Sequence, residues 1–435
     1  MDAGTAVQDS PAVADLMVRF AQSARSPGRH ARTSSPLLAA VDRAGTAHIY
    51  ADTADVSEVG ALVTTGDGAV VQEVDGNTAN QPLVYKVIAR YLQEHDVPSW
   101  ARELRARSPQ MDTRELAIAL YAVLCCRISN DMLREFGSDR PWEISVQLHM
   151  ALGGDPGAAK SAGRVIRRMV PQAFVKVPFT PQAPHCFLVA RDLEAEGIPV
   201  NFTSTFSARQ ALAAGLLANV TRTNIFMGRI NQGLKAALLG EHVDLAAQRA
   251  LLRQRRDAHI KTQLIVASVR EWQTFVHAAG CDVFTAPCEA IRTFLQQTDV
   301  PAGEIRSQLD TSYEDKLGIA DEVLRAVGGD RIARLYAVEP ELVQFLTELR
   351  GSADYRAMHD GDQLYKRFDQ AGFGDLFYSP TAAEWQELRK SKLPDLASPL
   401  TRRLPMDTLY TLLADADFEK YQDEMDALIA KRVGG

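Results

Sequence analysis

With 435 residues, 46% of them hydrophobic and 24% charged, the chain has an ordinary globular composition and enough length for one large core plus an appendage. A net charge of −7 forces no basic face, which argues against a nucleic-acid partner but leaves room for an anionic substrate held by two or three local cations. The apolar runs look short and broken by charge, and the N-terminus lacks a signal-peptide core, so no membrane association is expected and the cytoplasm is the expected location.

In chain order, residues 1–35 form a tail rich in Ala, Ser, Arg and Pro, with a short amphipathic helix at Ala12–Ala24 and a loop at Ser26–Ser35. After it, short β-rich runs alternate with helical patterns. The runs are His48–Asp52, Ala69–Val74, Ile144–His149, Ala173–Val177, Pro199–Thr203, Asn224–Gly228, Leu264–Ser268 and Asp282–Thr285. Several are almost continuously apolar, as strands covered on both faces are. The helical patterns are Gln81–Gln93, Thr113–Phe136, Ala158–Met169, Cys186–Glu196, Ser207–Asn219 with a Ser cap, Val243–Ala258, Arg270–Ala279 and Glu289–Gln297. This alternation predicts an α/β fold, a (β/α)8 barrel over residues 36–300. Beyond Pro301 the alternation stops. Residues 303–350 and 382–432 read as helical, giving an extension over 301–435 that either caps a barrel end or mediates homodimer contacts. The five cysteines, Cys125, Cys126, Cys186, Cys281 and Cys288, are odd in number and show no C-x-x-C spacing. They are read as packing, like Trp142, and no metal site is expected.

Barrel enzymes place their chemistry at the C-terminal ends of the strands. In the fourth run Lys176 stands between Val175 and Val177, where an unpaired ammonium is costly to bury. Desolvation lowers a lysine pKa, and a neutral amine is what Schiff-base formation with a ketone requires. The alternative from this run alone is an edge-strand lysine pointing to solvent.

Six segments carry a family resemblance. Lys176-Val177-Pro178 resembles the transaldolase strand that bears the nucleophile, and Ala51-Asp52-Thr53 the first-strand A-D-T motif. Thr78-Ala79-Asn80-Gln81-Pro82 resembles T-T-N-P-S, and the segment from Asn201 through Thr203, Phe206, Ser207 and Gln210 to Ala211 follows N-x-T-x-x-F-S-x-x-Q-A. Asn224-Ile225-Phe226-Met227-Gly228-Arg229-Ile230 resembles S-P-F-V-G-R-I, and Ala267-Ser268-Val269-Arg270 resembles A-S-F-R. All six lie in order on successive predicted strands.

The resemblance to the transaldolase family implies roles. Lys176 would form the Schiff base and Asp52 would move protons, unless Asp52 merely caps the helix that follows. Asn80 and Asn201 would bind the dihydroxyacetone unit, with Asn224 and Phe226 beside them, or satisfy backbone groups. Thr203 would position a water. Arg229, Ser268 and Arg270 would hold the substrate phosphate, a task suited to a planar guanidinium. No cofactor is implied.

One departure from the family pattern stands out, beside the altered T-A-N-Q-P turn and Asn224 in place of the sixth-strand serine. Gln147 occupies the third-strand position where transaldolases carry a catalytic glutamate, and a glutamine cannot take a proton. Small aldolases of the same superfamily also have glutamine there but pair it with a sixth-strand tyrosine, whereas this chain has Phe226 as transaldolases do, and so matches neither subgroup fully. His149 shares a strand face with Gln147, nearer the mouth. It could supply the missing acid–base group or simply hydrogen-bond in the loop wall. The expected function is transfer of a dihydroxyacetone unit from a ketose phosphate to an aldose or aldose phosphate, within pentose-phosphate or specialised sugar metabolism. A fructose-6-phosphate-type aldolase and a non-catalytic sugar-phosphate-binding barrel are the alternatives.

Overall fold

Apolar strands buried on both faces need helices on one side and packed side chains on the other, and here that need is met by closure. In the computed structural model, which describes residues 10–26, 35–63, 74–137 and 141–434, eight parallel strands pair in sequence order into a closed barrel. They are β1 (His48–Asp52), β2 (Gly76–Thr78), β3 (Glu143–Gln147), β4 (Ala173–Pro178), β5 (Val200–Thr205), β6 (Arg222–Phe226), β7 (Gln263–Ala267) and β8 (Val283–Ala286). Pairing of Tyr50 with Thr285 joins β1 to β8 and leaves no sheet edge.

The second strand corrects the expectation. Residues 69–73 of the predicted run lie outside the described residues, and β2 is the three-residue segment that follows. Gly76 is needed there because a Cβ would stand 1.9 Å from the Glu143 carbonyl oxygen of β3.

Around the barrel lie α1 (Pro11–Ala21), α2 (Pro36–Arg43), α3 (Val56–Val63), α4 (Gln81–Glu94), α5 (Val97–Arg107), α6 (Thr113–Phe136), α7 (Pro156–Met169) and α8 (Cys186–Ala195). They are followed by α9 (Ala208–Ala213), α10 (Met227–Gly233), α11 (Leu239–Asp257), α12 (Thr274–His277) and α13 (Cys288–Leu295). Ser207 caps α9 through the Gln210 N–H, and the helix runs on as a π turn to a left-handed Asn219. The helix expected over Arg270–Ala279 shrinks to the four residues of α12. Contrary to the reading of its apolar runs as short, α6 has the length and apolarity to cross a membrane, yet 83% of its most apolar window is packed inside the protein. The five cysteines are buried and unpaired.

The N-terminal end of the barrel is plugged. Arg222 lies over the Phe174 ring at 4.4 Å and the Tyr50 ring at 5.1 Å, and donates to Glu143 at 2.9 Å and to the Tyr50 hydroxyl. The extension covers part of the opposite, C-terminal mouth. The extension comprises α14 (Asp321–Val327), α15 (Gly329–Ala333), α16 (Pro340–Gly351), α17 (Ala353–Arg356), α18 (Gly361–Gln370), α19 (Ala382–Leu388), α20 (Pro399–Arg403) and α21 (Met406–Gly434).

Helix α21 crosses the mouth. At one end Asp407 accepts from Arg209 Nε and Nη2 at 2.7 and 2.8 Å and from Ser207 at 2.7 Å, and Thr411 donates to the Ser204 carbonyl at 3.0 Å. At the other end Asp426 meets His149 at 3.0 Å. Between them Phe418 packs edge-on against Phe226.

Candidate active site

Strand register decides which side chains meet. Gln147 pairs with Lys176 and Lys176 with Asn201, so the three stand side by side on the inner faces of β3, β4 and β5. Asp52 pairs with Thr78 across β1 and β2, and the Thr78 hydroxyl donates to its carboxylate at 2.9 Å. Asp52, Thr78, Lys176 and Asn201 line a polar cavity of about 800 Å³ at the mouth of the barrel, with Gln147 set behind its wall.

Lys176 lies in the wall of this cavity, 2% exposed, and its Nζ donates to the Ala79 carbonyl at 3.0 Å. Burial pulls its pKa down to about 8, opposed by the nearby Asp52 carboxylate. Asp52 moves the other way. Burial raises it, while Lys176 and the Thr78 bond hold it down. The two groups thereby approach each other in proton affinity, so a proton can pass between substrate atoms and either group at small cost.

Asn80, Asn201, Asn224, Phe226, Arg229, Ser268 and Arg270 line the same cavity. Asn80 is also the cap of α4, its Oδ1 accepting from the Leu83 N–H at 3.1 Å. Asn201 donates to Ser145 at 3.1 Å. The Oδ1 atoms of Asn201 and Asn224 are buried and accept from no protein group among the described residues. Since an unsatisfied buried polar atom costs roughly 1–3 kcal/mol, such acceptors suit a hydroxylated ligand.

Two of the cations that line the cavity, Arg229 and Arg270, follow β6 and β7. Arg229 is clamped between the Phe226 and Phe418 rings, 5.7 and 5.5 Å from its guanidinium carbon, and its Nη2 donates to Asp417 at 2.8 Å. Partial burial and then the Arg229 charge lower the pKa of Arg270, whose Nη1 makes a long contact of 3.4 Å to the Val269 carbonyl. Ser268 follows β7 with a φ of +64°, and Gly228 passes so close that a Cβ there would lie 2.0 Å from the Ser268 carbonyl oxygen.

Three sequence candidates are not on the cavity wall. Gln147 and Thr203 are buried behind it, with Gln147 Oε1 and Thr203 Oγ1 accepting from no protein group among the described residues. His149 lies elsewhere. Its Nε2 faces Asp426, its Nδ1 accepts from the Ala151 N–H at 3.1 Å, and Tyr121 packs edge-on against the ring. With both nitrogens engaged off the cavity, His149 fastens α21 to β3, which goes against the acid–base role raised for it.

Sequence reasoning missed Thr78, Lys86 and Thr285 around the wall, and Lys392 and Tyr421 from the extension. Thr78 was legible in principle as a hydroxyl beside Asp52. The extension residues carry no local signal.

A closed barrel of eight parallel strands with helices around it and a polar cavity at its mouth defines a class, the (β/α)8 barrels. The profile of the Transaldolase/Fructose-6-phosphate aldolase family matches residues 49–326, and the chain belongs to that family. It is 33% identical over 136 residues to a probable transaldolase of Nitrosopumilus maritimus, covering 31% of this chain and 57% of that protein. Longer matches run to probable transaldolases of Rhodospirillum centenum (28% over 245 residues; 56% and 81% of the two chains) and Thermus thermophilus (26% over 256 residues; 58% and 93%). The chain thus spans less than two thirds of the first of these relatives.

Proposed function

We propose that the chain is a Schiff-base transferase that moves a dihydroxyacetone unit from a ketose phosphate to an aldose or aldose phosphate. The observation that carries this reading is Lys176, a buried amine with its pKa near 8, set in the wall of a polar cavity close to Asp52. The amine attacks the ketose carbonyl, water leaves, and an imine forms. Asp52 takes the proton from the C4 hydroxyl as the C3–C4 bond breaks, which releases an aldehyde and leaves an enamine on Lys176. Asn201 and Asn224 accept from the hydroxyls of the retained unit. Arg229, Ser268 and Arg270 hold the phosphate end. The enamine then adds to the acceptor aldehyde, and water frees the product.

One observation favours a second reading. Gln147, lateral neighbour of Lys176, is the residue type that the small aldolases carry at this position, and protonation of the enamine carbon followed by hydrolysis of the imine without an acceptor describes an aldolase that shares the first half of this cycle. Fructose 6-phosphate supplied with and without an aldose phosphate separates the two. Transfer predicts product only with acceptor, whereas an aldolase releases free dihydroxyacetone in its absence. Lys176→Arg, which stays protonated, should abolish both. Product from that variant would exclude the lysine mechanism.

A further inference from the structure

The family match ends at residue 326, whereas Lys392 and Tyr421 of the extension line the cavity and Asp417 of α21 holds Arg229. The side chains of this ion pair are 9% and 16% exposed, and Phe226 and Phe418 flank the guanidinium, so little water screens the two charges. Arg229 keeps one buried terminal nitrogen, Nη1, without a protein acceptor among the described residues. Two arginines of the cavity lining are therefore accompanied by one carboxylate, which bonds Arg229 from behind the lining.

We propose that Asp417 is a specificity-determining residue, through which the C-terminal helix sets how strongly the site prefers phosphorylated over unphosphorylated ketoses. The inference rests on Arg229 and Arg270 being the anion ligands of the reading above. A phosphate dianion that reaches this pair meets a local charge of one positive unit instead of two. It is repelled by a carboxylate already bonded to one of its ligands. A neutral substrate end suffers no such repulsion. The extension thus levels the preference between the two substrate classes, a device suited to an enzyme that works on sugars with and without a terminal phosphate.

The test is equilibrium binding of inorganic phosphate by calorimetry to the full chain and to Asp417→Asn and Asp417→Glu. Asparagine keeps the shape and removes the charge, so phosphate should bind about tenfold tighter, while glutamate, which keeps the charge, should stay near the native value. In turnover, Asp417→Asn should raise the kcat/KM ratio of fructose 6-phosphate over fructose by a similar factor, through KM and not kcat. Weaker phosphate binding by Asp417→Asn would mean that the carboxylate only braces Arg229, and unchanged binding that it does not reach the anion. Either result overturns the proposal. Borohydride trapping on the same samples keeps the two readings apart. Tighter phosphate binding without trapping removes the Schiff-base reading alone, and trapping with unchanged phosphate binding removes this one alone.

Discussion

Lys176 is unfavourable for stability and useful for chemistry for the same physical reason. Burial lowers its pKa from 10.5 to about 8, so the neutral amine forms at a lower pH in the folded protein than in the unfolded chain. Between those two pH values the unfolded chain binds more protons than the folded one, and stability contributed by this site rises as the pH is raised through that window. The shift corresponds to an ammonium penalty on the order of 3 kcal/mol at neutral pH. Lys176→Met should therefore unfold at higher urea concentration than the native chain at pH 7, by about 1–3 kcal/mol after loss of the Ala79 hydrogen bond. It should also flatten the stability profile between pH 8 and 10.5. A less stable variant would contradict the desolvation argument. The chemical counterpart is the pH dependence of imine formation, which needs the deprotonated amine. The rate of reductive trapping should rise with a midpoint near pH 8, while a lysine in water would give one above pH 10.

Among the elements, α21 matters most, because it joins the extension to the strand ends that carry the site. Its docking depends on a glycine in α10. A Cβ on Gly233 would lie 2.2 Å from the Tyr410 hydroxyl and 2.9 Å from Pro394, so Gly233→Ala must push the helix outward. The expected cost is about 1–3 kcal/mol by denaturant unfolding, as for other overpacked sites, with faster amide exchange along α21. Native exchange in this variant would show that the helix is not seated there. At the other end of α21, His149→Asn removes a tie to Asp426 without touching the cavity. It should speed exchange in the last turns of α21 and leave trapping at Lys176 intact. Loss of trapping with unchanged exchange would return His149 to the acid–base machinery. Gly76 and the three-residue β2 show why element boundaries stayed hidden. A strand this short has no periodicity to read, and its glycine answers to the backbone of β3, not to its own neighbours.

For the molecule as a whole, the barrel was legible because strands covered on both faces leave apolar runs, and helices between them leave a different period. Lys176 was legible because a charge inside such a run needs a reason. The polar residues around it became legible together, through six motifs in order. The contribution of the extension was not. Asp417 reaches Arg229 across 188 positions, and a contact so remote leaves no mark in either local sequence. The placement of His149 was equally hidden, since its partner Asp426 comes from that same helix. What unites these parts is one claim, that the barrel and its covering helix serve an imine on Lys176. The most direct measurement is the mass of the protein, and of its tryptic peptides, after borohydride reduction in the presence of fructose 6-phosphate. The account predicts a reduced dihydroxyacetone adduct on the peptide that contains Lys176, absent in Lys176→Arg. An unmodified protein, or an adduct on any other lysine, would contradict it.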